Sequence, residues 1–325
     1  MITSLLIALA AGCASALMFA SIISGALISL LLFYLAPLPL MVAALGWGPM
    51  GAAIGGIAAG TGLGAIFGFP YLLAFVFTVA LPAWWLGHLA LLGRPAAASA
   101  SSGNGTAAIE PTVEWYPVGR ILVWAAGFAA LTTLAALLTL GTDGATISAT
   151  LRRGLMRLIG PRNSGPAEGD LEQLIDALAA IAPAAAAVVA IMTLTLNLWL
   201  AAKITATSGR LHRPWPDLKA AALPPMTLVV LSLAIAFCFV GGLPAIIAQI
   251  VSAGLLMAYA LTGFAALHTL TLGIKNRALV LICTYAVVLV FGWPVLALMG
   301  LGLADAFFGF RQRYLRSRPP PAPVS

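Results

Sequence analysis

The chain has 325 residues, 62% hydrophobic and only 8% charged, with a net charge of +7 and a mean hydropathy of +1.07. A soluble domain carries about 25% charged residues; a chain this long with so few cannot cover its surface in water, which excludes an ordinary soluble protein. A transmembrane β-barrel is excluded too, because barrels alternate apolar and polar residues at short period, whereas residues 1–93 hold no Asp, Glu, Lys or Arg at all.

These features predict an all-α, polytopic transmembrane helix bundle. A hydrocarbon core of about 30 Å needs about 20 apolar residues per helix, so residues 1–93 alone hold three or four spans. The first is expected over 2–34, kinked or broken near Gly25 and interrupted by Pro37 and Pro39. It has no basic start and is too long for a signal-peptide core. The segment Leu9-Ala10-Ala11-Gly12-Cys13 resembles a lipoprotein box, but the apolar run continues through it. Cys13, Cys238 and Cys283 lie far apart in apolar segments without metal-ligand or redox spacing, and read as small packing residues. The second span, over 40–69, carries Ala52, Gly56, Gly60, Gly64 and Gly68, a small residue at every fourth position. On a helix this row makes a groove that another backbone can approach, for packing or, in the sharper reading, for a substrate. The third, over 71–92, ends near Trp84, Trp85 and His88, where an aromatic belt is expected.

Residues 94–119 read as a loop whose Ala/Ser/Gly-rich stretch 97–105 is expected to be flexible. A span over 120–140 follows, then a polar region over 141–176. Within it Ile147, Leu151, Leu155 and Leu158 share one helix face and Arg152, Arg153 and Arg157 another, which predicts a short amphipathic helix suited to a bilayer surface. Further spans are expected over 178–202, 223–240 and 244–272, the last two joined at Gly241-Gly242. The run 278–310 is broken at Gly292-Trp293-Pro294 into a short hairpin. The count is about nine, range eight to ten, followed by a basic, Pro-rich tail over 311–325.

Cytoplasmic loops of membrane proteins are rich in Lys and Arg. By that rule residues 203–219 (Lys203, Arg210, Arg213, Lys219 against Asp217), 275–277 and the tail (Arg311, Arg313, Arg316, Arg318) are cytoplasmic. Even crossing numbers between them require the hairpin over 278–310. They put 141–176 outside, 94–119 inside and the C-terminus in the cytoplasm of a bacterial inner membrane. The positive charge is thus a topology signal, and no aromatic-interleaved basic face points to nucleic acid.

Little in the sequence can carry chemistry. There is no nucleophile elbow and no phosphate-cradling loop, and His88, His212 and His268 are scattered. No catalytic residue, metal or cofactor is assigned, and the expectation is a protein that is not an enzyme. Polar residues inside apolar spans cost free energy unless paired, so the candidate binding or coupling residues are Asp305, His268, Asn197 and Gln249. Interhelical hydrogen bonding is their plainer reading. Asp305 is expected near the interface, paired with Arg311 or with a donor on another helix. On an unbroken helix, Arg311 would stand about 240° around the axis from Asp305; this favours another helix, with His268, Asn197 and Gln249 as candidate partners.

Several segments resemble the YybS-like family, bacterial polytopic membrane proteins without an established activity. The resemblance rests on Pro183, on Asn197-Leu198-Trp199-Leu200-Ala201-Ala202-Lys203, on Pro216-Asp217-Leu218 and on Leu223-Pro224. It extends to Leu81-Pro82-Ala83-Trp84-Trp85-Leu86-Gly87 and to Gly302-Leu303-Ala304-Asp305-Ala306-Phe307-Phe308-Gly309-Phe310-Arg311. The N-terminal part of that family is distantly similar to the substrate-capture subunits of energy-coupling-factor vitamin transporters, a likeness that rests here on residues 37–56. The expected function is non-enzymatic binding or transport of a small molecule. The alternative is a membrane assembly or scaffold factor. The expected partners are the lipid bilayer, a small-molecule ligand and another membrane protein. Transport requires Asn197, Gln249, His268 or Asp305 to converge, whereas a scaffold lets each pair locally.

Overall fold

The computed structural model describes residues 2–95, 113–159 and 168–317. The low-complexity stretch 97–105 and Arg318 lie outside them. Among the described residues, seven helical segments are long and apolar enough to cross a membrane, with an eighth if the bent pair Val295–Phe308 and Phe310–Arg316 is one span. The chain is therefore an integral membrane protein, an all-α polytopic bundle. It forms two compact units, Met1–Ile121 with Thr193–Pro216, and Leu122–Met192 with Asp217–Ser325.

The first unit opens with α1 (Ile2–Ala20), extended by a 3-10 turn over Ser21–Ser24, then α2 (Leu27–Leu35) and α3 (Pro37–Trp47). The sequence places one span over 2–34, kinked or broken near Gly25, and an interruption at Pro37. The break does fall at Gly25, whose φ of 68° is left-handed, but it separates two spans, and the second, Leu27–Trp47, runs through Pro37. Pro37 stands in the first turn of α3, where its missing N–H costs nothing. Next come α4 (Pro49–Phe67) and α5 (Phe69–Phe75), then α6 (Leu81–Leu91), reached from α5 through a π-turn over Val76–Ala80. Residues 1–93 thus hold four spans.

Glycines decide how closely these helices approach. A Cβ built on Gly56 would stand 3.0 Å from Ala80 Cβ, on Gly60 3.3 Å from Val76 Cγ2, and on Gly64 3.0 Å from Leu72 Cβ. The row therefore receives a ridge of residues spaced four apart, Leu72, Val76 and Ala80. Ala52 is fully buried. Gly68 differs, because with φ 94° it is the turn between α4 and α5. A closer approach in this unit is on another face of α4: a Cβ on Gly12 would run into the Gly55 carbonyl, and one on Gly55 into that of Ala8. Cys13 and Cys283 are exposed on their apolar helices and Cys238 is half-buried, so the first two are not packing residues.

Within 94–119 the structure has a short ribbon, β1 (Gly93–Pro95) antiparallel to β2 (Val113–Trp115), with Arg94 Nε donating to Glu114 at 2.8 Å. Then follow α7 (Val118–Leu138), the amphipathic α8 (Gly144–Ile159) and α9 (Glu168–Thr207), 40 residues with Pro183 inside. The chain continues with α10 (Met226–Phe237), α11 (Gly242–Leu270), α12 (Arg277–Phe291), α13 (Val295–Phe308) and α14 (Phe310–Arg316).

In the second unit α11 is the centre. A Cβ on Gly263 would run into the Leu298 carbonyl, and one on Gly302 into that of Tyr259, so α11 and α13 touch backbone to backbone. Tyr259, 1% exposed, donates its hydroxyl to Thr227 Oγ1 at 2.7 Å, and Thr227 donates to the Pro224 carbonyl at 2.6 Å. This ties α10 to α11. With 12 and 15 residues, α10 and α12 are about 18 and 22 Å long, shorter than the spans expected over 223–240 and ending the first arm of the hairpin. The chain turns between α12 and α13 at Gly292, φ 69°, and no residue of α12 is buried.

Candidate functional site

Asp305 sits on the last turn of α13, and the helix stops at Gly309, φ 64° and ψ 39°. α13 and α14 meet there at 65°, which swings Arg311 back onto Asp305. The Arg311 backbone N–H donates to Asp305 Oδ1 at 2.9 Å and its Nε to Oδ2 at 2.7 Å. Nη1 donates to the Lys219 and Ala221 carbonyls, each at 2.8 Å. Both side chains are 7% exposed. The partner expected on another helix is therefore Arg311 itself, because the 240° separation holds only for an unbroken helix. Both carboxylate oxygens and two guanidinium nitrogens are used, and the cluster fastens α14 to the segment before α10.

Asn197 is buried on α9 in the first unit. Its Nδ2 donates at 2.8 Å to the Tyr34 carbonyl in the last turn of α2 and at 2.8 Å to Thr193 O. Asn197 thus ties α9 to the end of α2, while its Oδ1 is buried with no hydrogen-bond partner among the described residues. Gln249 is half-buried on α11, where its backbone carbonyl accepts from Ser252 Oγ at 3.1 Å.

His268 belongs to a different kind of cluster. It occupies the end of α11, Arg277 opens α12, and Tyr285 lies two turns further along α12. Tyr285 OH and His268 Nε2 are 2.8 Å apart. Arg277 Nη2 donates to the His268 carbonyl at 3.3 Å and reaches Nδ1 at 3.5 Å. An arginine only donates, so Nδ1 is the acceptor and the ring proton belongs on Nε2, donated to the Tyr285 oxygen. That leaves the phenol proton pointing away from the histidine. Phe264 stacks on Tyr285, centroids 5.1 Å apart and planes 7° apart. The charges of Arg277 and Lys219 both reach the imidazole. Arg277 Nε is buried and has no hydrogen-bond partner among the described residues. From residue 217 onward the only acids are Asp217 and Asp305, and Arg311 takes Asp305. Among the described residues no carboxylate pairs with Arg277, so the cluster offers donors and positive charge.

The cations of residues 203–216, in the first unit, are engaged already. Lys203 Nζ lies 4.3 Å from the Trp215 ring centre, and the Arg210 guanidinium 4.7 Å from that of Trp47. Arg213 donates to the Ala90 carbonyl at 3.1 Å, and burial pulls its pKa below the ordinary value, although an arginine remains charged. Among the described residues no three His, Cys, Asp or Glu stand close enough to hold a metal. A groove between α7 and α11 is lined only by Ala130, Leu131, Leu134, Ile247, Ile250 and Val251.

The four candidate residues thus have separate surroundings. Asn197 belongs to the first unit, and in the second Asp305 and His268 are bonded to different groups. Arg277, Tyr285 and Arg311 were not among the sequence candidates. The usable signal was that the only cation in α12 lies beside its only tyrosine on the helical repeat, Arg277 and Tyr285 being eight positions apart. No family model matches the chain, and no curated protein or solved structure matches it.

Proposed function

We propose that this chain is a non-enzymatic protein of a bacterial inner membrane that binds a small molecule through an anionic group, using Arg277, Tyr285, His268 and Lys219. The observation that carries the reading is the buried Arg277 Nε without a partner, beside a histidine–tyrosine pair whose hydroxyl proton is unspent. An unsatisfied buried donor costs about 1–3 kcal/mol, and a bound oxyanion removes that cost. The assembly-factor alternative draws on a different observation: Asp305 is consumed by local hydrogen bonds, as a scaffold permits. The resemblance to the YybS-like family belongs to this proposal, since it brings a polytopic membrane setting and no catalytic chemistry.

The topology proposed with it places the basic segments 203–219, 275–277 and the tail in the cytoplasm. The four spans before residue 92 then put the N-terminus on the same side. Reporter fusions after Arg213, Asn276 and Arg318 should all read as cytoplasmic, and a periplasmic signal at Arg318 alone would remove the hairpin from the scheme. The binding reading is tested by identifying small molecules that co-purify with the full-length protein and with Arg277→Gln/Tyr285→Phe. An anion-bearing molecule retained by the first and lost from a stably folded variant supports it. Equal retention by both sinks it, and capture of a defined protein partner without any small molecule favours the assembly factor.

A further inference from the structure

The helix α8 stands apart from every other helix in the chain. Residues 147, 151, 155 and 158 advance by four, four and three positions and fall on one stripe. Burial along that stripe falls away steadily. Ile147 is fully buried in a cluster with Leu137, Ala187, Ile246 and Ile250, Leu151 and Leu155 are half-buried, and Leu158 is 83% exposed, with Ile159 at 45%. The start of α8 is pinned, since a Cβ on Gly144 would stand 2.7 Å from the Gly242 carbonyl carbon. Asp143 caps it by accepting the Thr146 N–H at 2.9 Å. Its far end leaves the protein with two large apolar side chains uncovered. The segment that follows, 160–167, has no large apolar residue in its sequence with which to cover them.

The charges on α8 are sorted as well. Arg152, on the flank towards α9, pairs with Asp176 at 2.6 Å and approaches Glu172 at 3.9 Å. Arg153 and Arg157 lie on the polar face, exposed; among the described residues Arg153 bonds only to its own helix, at Ala149 O and Thr150 Oγ1. A six-residue step separates the end of the α7 span from the start of α8, so the helix begins at the level where spans leave the hydrocarbon. An apolar edge at the far end of α8, beside arginines that pair with no acid among the described residues, fits a membrane interface bearing anionic headgroups.

We infer that α8 is an in-plane membrane foot, with Leu158 and Ile159 in the acyl–headgroup boundary and Arg153 and Arg157 binding phosphates of anionic lipids. The test uses full-length protein free of native cysteines (Cys13→Ala, Cys238→Ser, Cys283→Ala) in nanodiscs containing phosphatidylglycerol. Spin labels are placed through Leu158→Cys or Arg153→Cys. The label at 158 should be several-fold more accessible to oxygen than to a water-soluble nickel complex, and the label at 153 the reverse. Nickel access at 158 equal to that at 153 would put α8 in water and overturn the inference. Exclusion of both reagents at 158 would show a protein cover, such as a second copy, and overturn it equally. For the charge, Arg153→Gln/Arg157→Gln should retain several-fold less phosphatidylglycerol on purification, and Arg153→Lys/Arg157→Lys should restore it. Unchanged retention in the glutamine variant at wild-type melting temperature rejects phosphate capture.

Discussion

Two polar clusters of the second unit involve Lys219, and they differ in what they leave over. Around Asp305 and Arg311 both carboxylate oxygens are used, Arg311 fills the nearby carbonyls of Lys219 and Ala221, and both side chains are buried. Around His268, Tyr285 and Arg277 the bonds of the guanidinium are longer, Tyr285 is 46% exposed, and a buried guanidinium N–H remains open. Both sets would look equally functional in a census of charged residues within apolar sequence. What separates them is the accounting of donors and acceptors. A closed account holds structure together, whereas an open one has capacity for a ligand.

The largest expected effect is at the closed cluster. Asp305→Ala strands the Arg311 guanidinium in a buried place and should cost about 3–5 kcal/mol, read as a lower thermal midpoint in detergent. Asp305→Asn should cost clearly less, because an amide oxygen can still accept the Arg311 N–H. Equal, near-zero costs for both would mean the pair is solvated and the contrast false. Next comes the glycine row: Gly60→Leu forces a side chain against Val76 and Phe75 and should cost about 1–3 kcal/mol as overpacking. Unchanged melting would mean that the groove tolerates a filled position. At the open cluster Tyr285→Phe should cost about 1 kcal/mol or less, the worth of one hydrogen bond, while abolishing retention of the anion-bearing molecule. A destabilisation as large as that of Asp305→Ala would make the open cluster a second lock. The smallest effect is expected at Asp143. The Thr146 hydroxyl, with the Thr146 amide, holds this exposed carboxyl below its ordinary 3.8. Its support of α8 is therefore present above that value and fades as the pH falls below it through the depressed folded value. Hydrogen exchange in the first turn of α8 should quicken on such acidification in the wild type and not in Asp143→Asn.

Much of the architecture was legible because apolar length and periodicity are local properties. The uncharged block, the break at Gly292-Trp293-Pro294 and the apolar and basic faces of α8 all follow from neighbouring residues. The misread positions are those where two local signals competed. Gly25 and Pro37 can each end a helix, and only the packed chain shows that the glycine turns while the proline starts a new helix. Asp305 and Arg311 were placed on opposite faces because Gly309 was read as one more helical residue. The contacts of Gly12 with Gly55 and of Gly263 with Leu298 depend on residues distant along the chain, which a single sequence does not pair. The same holds for His268 and Tyr285, 17 positions apart.

The shortness of α12 has a consequence for the lipid around it. Its 15 residues span about 22 Å, against a hydrocarbon thickness of about 30 Å, and most of its side chains face outward. In the proposed topology, where α12 crosses the bilayer, lipid beside it would thin, at a cost of fractions of a kcal/mol per Å of mismatch. That thinning brings the headgroup layer down towards Arg277 at the start of the helix. A bilayer of longer acyl chains resists the deformation and would bury that arginine more deeply. Membrane thickness thus becomes a variable that acts on the chain through this helix, and the protein should partition towards the thinner of two coexisting lipid phases.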